Sequence, residues 1–350
     1  QYNNQFRDLA SNYSGGSTFK INIIPLYMPY PVMAYGELFL HVVLHVLLKT
    51  PDILHCRSYI TTFLANIAKK MVLSRARIIF DARGVYPEEQ AQAHLLPGHS
   101  RHYKLLKVIE RYNLRNSNVT VCVSHAMQEH YAQLVSKSNC IFIPPFVHCS
   151  KFNRTLDQRD NLRTSLGIPI ERVVLLYSGS FDLPWSVASS YASFFQEIYS
   201  RFPDVLLLVL SNSDHRKIET FFKDMNVAVN NLKIISPNPE EIIQLTAVAD
   251  YGLILRDDTM VNRVAFPIKF LEYVASGLPV IVTRSNYFIS QLIDRENVGI
   301  TYRPQEPRFL ERFEHMLNNK DMQGVCRRFA ARYDITIALK RYKELYLSLN

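Results

Sequence analysis

Short apolar runs alternate along the chain with segments whose apolar residues recur at helical spacing. In the first half the runs at 20–27, 52–56, 76–82, 119–124 and 141–146 read as strands. In the second half those at 173–180, 205–210, 232–236, 251–255, 279–283 and 299–302 do the same. Segments such as 59–70 and 100–116 between them carry the period of amphipathic helices. Strands that alternate with helices form parallel sheets, because a parallel neighbour is reached only by a crossover long enough to hold a helix. Between the halves, 147–170 is polar and charged and follows Pro144 and Pro145, which interrupt a strand ladder. The pattern predicts an α/β chain of two Rossmann-like domains, 1–150 and 151–334, facing a cleft. Open sheets of this kind bind ligands at the carboxyl ends of their strands. Residues 1–12 read as a helix and 14–18 as a loop. No strand followed by a glycine-rich turn opens the chain, so the N-terminal domain is expected to lack its first strand.

Composition adds limits. The 350 residues are 48% hydrophobic and 20% charged, as in ordinary globular proteins, with no repeat or low-complexity tract. Five cysteines without a C-x-x-C pair argue against a zinc site or a disulfide framework and for a reducing, cytoplasmic setting. No signal peptide is read in the polar opening residues. The longest apolar run, 32–48, holds Glu37, His41 and His45 and is short for a bilayer span. It reads as a largely buried helix, with a membrane-surface helix as the alternative. Residues 1–150 hold 15 Lys and Arg against 8 Asp and Glu, so they carry +7 of the net +9. That suits an anionic partner, such as a membrane surface at the inner face of the plasma membrane or a phosphorylated lipid. Nucleic acid is not expected, since no helix-turn-helix, zinc finger or aromatic RNA motif is found.

The most informative stretch is 256–283, RDDTMVNRVAFPIKFLEYVASGLPVIVT. Pro267 marks a helix start, Gly277 its end, and a strand follows at once. Lys269 and Glu272 stand three residues apart on one face of that helix. An ammonium can neutralise the diphosphate of a leaving group, and a carboxylate can accept from two ribose hydroxyls. On spacing alone, a plain surface ion pair remains open. Ser178, Gly179 and Ser180 end the first strand of the second half, where a glycine allows close backbone approach and free N–H groups of a following helix near Trp185 suit phosphate.

The string 267–281 resembles the donor-site signature of retaining glycosyltransferases of the group 1, or family 4, type. Asp81-Ala82-Arg83-Gly84 with Glu88 and Glu89, Val123-Ser124, the 143–147 segment and Tyr177-Ser178-Gly179-Ser180 follow in the family's order. The resemblance implies a GT-B fold with the last helix, 335–349, packed back on the N-terminal domain. It also implies metal-independent transfer from a nucleotide-sugar donor with retention of configuration, without a cofactor. The placement of positive charge in the first 150 residues, and not the resemblance, points to a glycan or lipid-linked acceptor. Glu272 would bind the donor ribose, and basic residues would stabilise the diphosphate. Two departures stand out. Val264 replaces a glutamate common eight residues before Glu272, and the 180–185 loop lacks the usual arginine and lysine. Arg256 and Arg263 are candidates for that charge.

In the first domain Asp81 and Arg83 end a strand at the cleft. Glu88 and Glu89 are candidates to orient an acceptor hydroxyl or act as a base. Ser124 reads as a helix N-cap, which places His125 at a helix start, while His55 and Arg57 end a neighbouring strand. Lys269, Arg256 and Asp81 are the expected catalytic groups. Asp257 and Asp258 lack a third ligand and read as solvated, and no phosphate-binding loop, H-E-x-x-H or G-x-S-x-G motif occurs. A nucleotide-sugar epimerase and a non-catalytic binding protein of the same fold are the alternatives.

Overall fold

The structure is a computed structural model that describes residues 31–349, apart from 94, 96, 99, 137–138, 153–155, 182–190 and 320. The expected helix at 1–12, loop at 14–18, strand at 20–27 and helix start near Trp185 lie outside the described residues. Backbone contacts divide the chain into two compact units, one of residues 1–51 and 64–76, the other of 52–63 and 77–350.

In the first unit the described residues are α1 (Pro31–Lys49), the second half of α2 (Tyr59–Met71) and the loop after it. The reading of 32–48 as a largely buried helix does not hold. Among the described side chains of α1 only Val46 is buried, while Met33, Leu40, Leu44, Leu47 and Leu48 are exposed. The run is apolar on every side, so its pattern could not say which face is covered.

The second unit contains two parallel sheets. The first is β1 (Ile53–Arg57), β2 (Arg77–Asp81), β3 (Val119–Cys122) and β4 (Cys140–Phe142), in the order β1-β2-β3-β4. Its crossovers are the helices α2, α3 (Tyr86–Gln92), α4 (Arg101–Asn116) and α5 (His125–Leu134). The second sheet is β5 (Val174–Ser178), β6 (Leu206–Leu210), β7 (Leu232–Ile235), β8 (Tyr251–Ile254), β9 (Val280–Thr283) and β10 (Gly299–Tyr302), in the order β10-β9-β8-β5-β6-β7. Strands β2, β3, β6, β8 and β9 are almost wholly buried, as parallel strands covered on both faces must be. The order reverses between β5 and β8, and such a switch opens a crevice at the carboxyl ends of the two strands.

Helix ends follow local rules. Ser100 accepts the N–H of Tyr103, Ser124 that of Met127 and Asn286 that of Ile289, each satisfying a donor of a first helical turn. Residues 147–170 hold more than a linker. A 3-10 turn (Cys149–Phe152) and α6 (Leu156–Ser165) form there, and Arg163 is fully buried. Its guanidinium donates to the carbonyls of Val248, Ile170 and Arg172 and pairs with Asp250 at 2.7 Å. The chain crosses between the sheets twice, and the crossings pair. Val147 N–H donates to Tyr333 O at 2.9 Å, and Ile335 N–H donates to Val147 O at 3.0 Å. After the second crossing α15 (Ile335–Leu349) lays Leu345 against Ile79, Val119, Val121 and Ile143 of the first sheet.

Gly252 of β8 shows how tightly the second sheet is built. A Cβ there would lie 2.2 Å from the Tyr273 ring, and the Tyr273 hydroxyl accepts the N–H of Ser178 at 2.9 Å. Gly252→Ala is expected to destabilise the fold by about 1–3 kcal/mol through overpacking, read from urea unfolding. An unchanged midpoint would show that the ring shifts freely.

Candidate functional site

The carboxyl end of β5 meets α11 (Ile268–Ala275) at the switch point. Pro267 precedes that helix, and Gly277, at φ 83°, follows its last turn in the left-handed conformation glycine allows. The helix buries Phe270, Leu271, Tyr273 and Val274, which turns Lys269 and Glu272 to the other side. Lys269 Nζ stands 4.9 Å from the centre of the Tyr177 ring. A Cβ on Gly179, whose φ is 145°, would come within 2.5 Å of that nitrogen, so glycine makes the space the ammonium fills.

The backbone amides around Gly179 that the structure describes are occupied. Its N–H is bonded to Leu210 O at 2.9 Å, and the N–H of Phe181 to Ser213 Oγ at 3.1 Å. These amides are engaged, and the positive charge at the turn comes from Lys269 instead. Ser180 is held through its carbonyl, which accepts the Tyr177 hydroxyl at 3.0 Å.

Arg256 stands at the end of β8. The Thr283 hydroxyl accepts its N–H at 2.9 Å and donates to its carbonyl at 2.7 Å, and Ser285 donates to the same carbonyl. Its guanidinium donates to the buried Asn262 at 3.3 Å, and Asn262 in turn donates to Asp257 O at 3.0 Å. Burial lowers the pKa of Arg256. Burial chiefly, with Arg256 adding and Glu272 opposing, brings Lys269 down to about 7. Burial raises the carboxyl of Glu272, with Lys269 opposing. Lys269 makes no ion pair among the described residues. A desolvated ammonium of this kind is a ready partner for an anion. Beside it lies a pocket of about 300 Å³ lined by Ser178, Gly179, Ser180, Ser211, Asn212 and Pro237, among others.

Arg263 is not drawn into this group. It is exposed on α10 (Met260–Val264), where Asp258 holds it at 2.5 and 2.8 Å, so Asp258 is ion-paired. Val264, in place of the family's glutamate, is buried in the core, and its carbonyl accepts the Ser124 hydroxyl at 2.6 Å. That bond ties the loop after β3 to the segment before α11. Sequence reasoning missed Tyr177, Asn262, Tyr273 and Thr283. All four stood inside stretches singled out in the sequence, but nothing in the spacing showed that they converge.

The first-sheet candidates form separate groups. Asp81 is buried at the end of β2, with His55 Nε2 3.8 Å and Arg83 3.9 Å from its Oδ2. His55 Nδ1 meets the Tyr346 hydroxyl of α15 at 2.8 Å, and Arg57 is exposed beside it. Arg83 takes φ 65°, uncommon for a residue with a side chain, in a turn closed by Gly84 N–H to Ala82 O at 2.8 Å. Below it the Tyr59 and Tyr131 hydroxyls lie 2.5 Å apart, and both reach Gly84 O, at 3.0 and 3.1 Å. Glu88 lies in the network underneath, where Lys107 donates to it at 2.8 Å and also pairs with the buried Glu110. Glu88, Glu110 and His130 come within 4.8 Å of one another, yet the Lys107 ammonium already rests on both carboxylates, so the group fits an internal ion pair. Glu89 packs its carboxylate over Gly84. The His125 ring lies tilted 4.3 Å from Phe142 of β4 and edge-on 6.0 Å from Phe288, which sits in the helix after β9.

Residues 9–151 match the family model described as Glycosyltransferase Family 4. A search of curated proteins finds no match. Among solved structures the chain is similar to sucrose-phosphate synthase from Thermosynechococcus elongatus, with 14% identity, 95% of this chain and 82% of that one covered, and a TM-score of 0.70. HepE of Anabaena in complex with UDP is 13% identical over 98% of this chain and 89% of that one, with a TM-score of 0.72. WaaG, a glycosyltransferase of lipopolysaccharide biosynthesis, is 16% identical over 94% and 91%, with a TM-score of 0.63. At these identities the likeness establishes the shared two-sheet fold.

A buried ammonium opposes folding. Lys269→Met is expected to raise stability to urea. The gain is fully present below about pH 7, where Lys269 is charged in both states, and narrows as the pH climbs toward 10.5, its ordinary value. A gain that does not vary with pH would show that the ammonium is well solvated.

Proposed function

Because residues 9–151 belong to glycosyltransferase family 4 and the chain has the GT-B fold, we propose that the protein transfers a sugar from a nucleotide-sugar donor to an acceptor hydroxyl. The observation that carries this reading is the Lys269 ammonium lodged against Gly179 at the switch of strand order, one helical turn from Glu272. On this reading the diphosphate meets Lys269, with Arg256 behind it, and Glu272 accepts from the ribose hydroxyls. The nucleoside lies in the pocket lined by Ser211, Asn212, Ser213, Pro237 and Ile242. HepE, similar in fold, was solved with UDP and with UDP-glucose, which supports a nucleotide-sugar donor.

As the bond from the sugar to the diphosphate breaks, negative charge grows on the departing phosphate. Two cations fixed by packing stabilise that charge without reorganising, which is the larger part of catalysis here. They supply the neutralisation a divalent metal gives elsewhere, so the reaction is metal-independent. Retention of configuration comes with the family resemblance. The acceptor, a glycan or lipid-linked glycan, lies on the first-sheet side. There Arg83 and Asp81 stand at the end of β2, Arg57 ends β1 and His125 starts α5. Glu88 is held by Lys107, so it is not offered as a free base. The five thiols, free in the structure, suit the cytoplasm.

Titration calorimetry with UDP tests the donor site. Glu272→Ala is expected to weaken binding by about 1–3 kcal/mol, the range for a lost hydrogen bond to a charged group, and Lys269→Ala by at least as much. Unchanged affinity in both variants would remove the pair from the site. The affinity is also expected to fall as the pH rises above about 7, by up to about tenfold per unit, because the diphosphate binds the protonated amine. Lys269→Arg keeps its charge and is expected to flatten that dependence.

A further inference from the structure

The carboxyl ends of β1 and β2, both in the second unit, hold a group of charges that the chain does not balance. Arg57 and Asp81 are partners in register, so their side chains leave the sheet on the same face, and His55 shares it two residues earlier. Asp81 is 5% exposed, yet its Oδ1 has no hydrogen-bond partner. The His55 and Arg83 nitrogens stand 3.8 and 3.9 Å from its Oδ2, beyond hydrogen-bond reach. A buried carboxylate in this state is costly until a donor reaches it. Arg57 and Arg83 are exposed, and Arg57 makes no ion pair among the described residues. Arg201, Arg263 and Arg332, equally at the surface, each rest on a carboxylate.

The backbone fixes where these groups stand. Ser58, at φ 77°, and Arg83, at φ 65°, are both left-handed, and Ser58 N–H donates to Asp81 O at 2.9 Å, which ties one strand end to the other. From α15 the Tyr342 hydroxyl faces the group. Burial, then Asp81, push it up to about 12, with Arg83 and more weakly Arg57 opposing. One carboxylate and two guanidiniums are thus felt at one point. The acids beneath the turn do not redress the balance. Lys107 rests on Glu88 and Glu110, and burial followed by the Glu88 charge raises the carboxyl of Glu89.

We infer that the acceptor is an anionic sugar, whose phosphate or carboxylate lies across Arg57 and Arg83 and whose neighbouring hydroxyl donates to Asp81. The inference rests on the reading of this edge as the acceptor side. Guanidinium forks match the oxygens of either anion, and two of them outweigh the one carboxylate. Asp81 sets the second requirement. It repels an anion that brings no hydroxyl, so the ligand carries a donor beside its charge. A neutral sugar would satisfy Asp81 and leave both guanidiniums without a counter-charge.

Chemical modification of the full chain saturated with UDP decides it. Phenylglyoxal rates at single arginines are read by peptide mass spectrometry at constant ionic strength, with inorganic phosphate or acetate replacing part of the chloride. About 10 mM of one of these anions is expected to slow modification at Arg57 and Arg83 alike by about threefold or more, and to leave Arg201 and Arg263 unchanged. Protection by phosphate assigns a phosphorylated acceptor, and protection by acetate alone assigns a carboxylated one. In Arg83→Gln the protection at Arg57 should disappear, because one anion spans both side chains. In Asp81→Asn the protection by a simple anion should rise, because the repelling carboxylate is gone. Equal UDP affinity in each variant shows that it is folded. Rates at Arg57 and Arg83 that neither anion changes overturn the inference, as does protection at Arg57 that survives Arg83→Gln. Protection lost in Asp81→Asn overturns it too, by making the carboxylate only a prop for Arg83. Failure to bind UDP overturns the donor-site reading instead, and the arginine rates without UDP still decide this one.

Discussion

An ammonium group taken out of water at the crossing of two strands is the constraint around which the second half of the chain is arranged. Lys269 reaches from α11 to the end of β5, and each neighbour has a feature that makes room for it or offsets it. Gly179 has no side chain where the nitrogen sits, and Tyr177 offers the face of its ring. Tyr273 anchors the helix to Ser178 and needs Gly252 beneath it. Arg256, the nearby cation, is kept in place by Thr283, Ser285 and Asn262 rather than by a carboxylate. A site with two cations so fixed is poorly satisfied until an anion arrives, and that is the property a diphosphate-binding site needs.

The first sheet solves a different problem. Its end loop has to hold Arg83 in a left-handed turn, and the support comes from below. Two buried tyrosines, from α2 and α5, reach the carbonyl of Gly84, and behind Tyr59 lies the Glu110–Lys107–Glu88 group of α4 and α3. Such a network is costly unless every member is satisfied, and it restricts the turn to one conformation. The two halves touch where Ser124 meets Val264, so the loss of the family's glutamate at that position coincides with a packed contact.

Much of this could be read before any coordinates. The alternation of strands and helices, the parallel sheets and the helix from Ile268 to Ala275 follow from periodicity and from Pro267 and Gly277, because these are local rules. The strand readings that fall on described residues agree with the observed elements to within a few residues at the ends. The pairing of Lys269 with Glu272 on one face was equally local. Helix α6 was missed because its sequence is polar and its buried member, Arg163, is a residue type that patterns assign to solvent.

Side-chain partners separated by many residues were out of reach. Lys269 and Gly179 are ninety residues apart, and only the order β5-β8 brings them into contact, so the source of the charge at that turn was hidden. For the same reason Arg263 looked as suitable as Arg256, although Asp258 holds one at the surface and the neighbours of β8 draw the other inward. The exposed face of α1 is the clearest case. Its residues determined that a helix forms and that it is apolar, but a helix apolar all round has no preferred side, and burial is decided by what else the chain places against it.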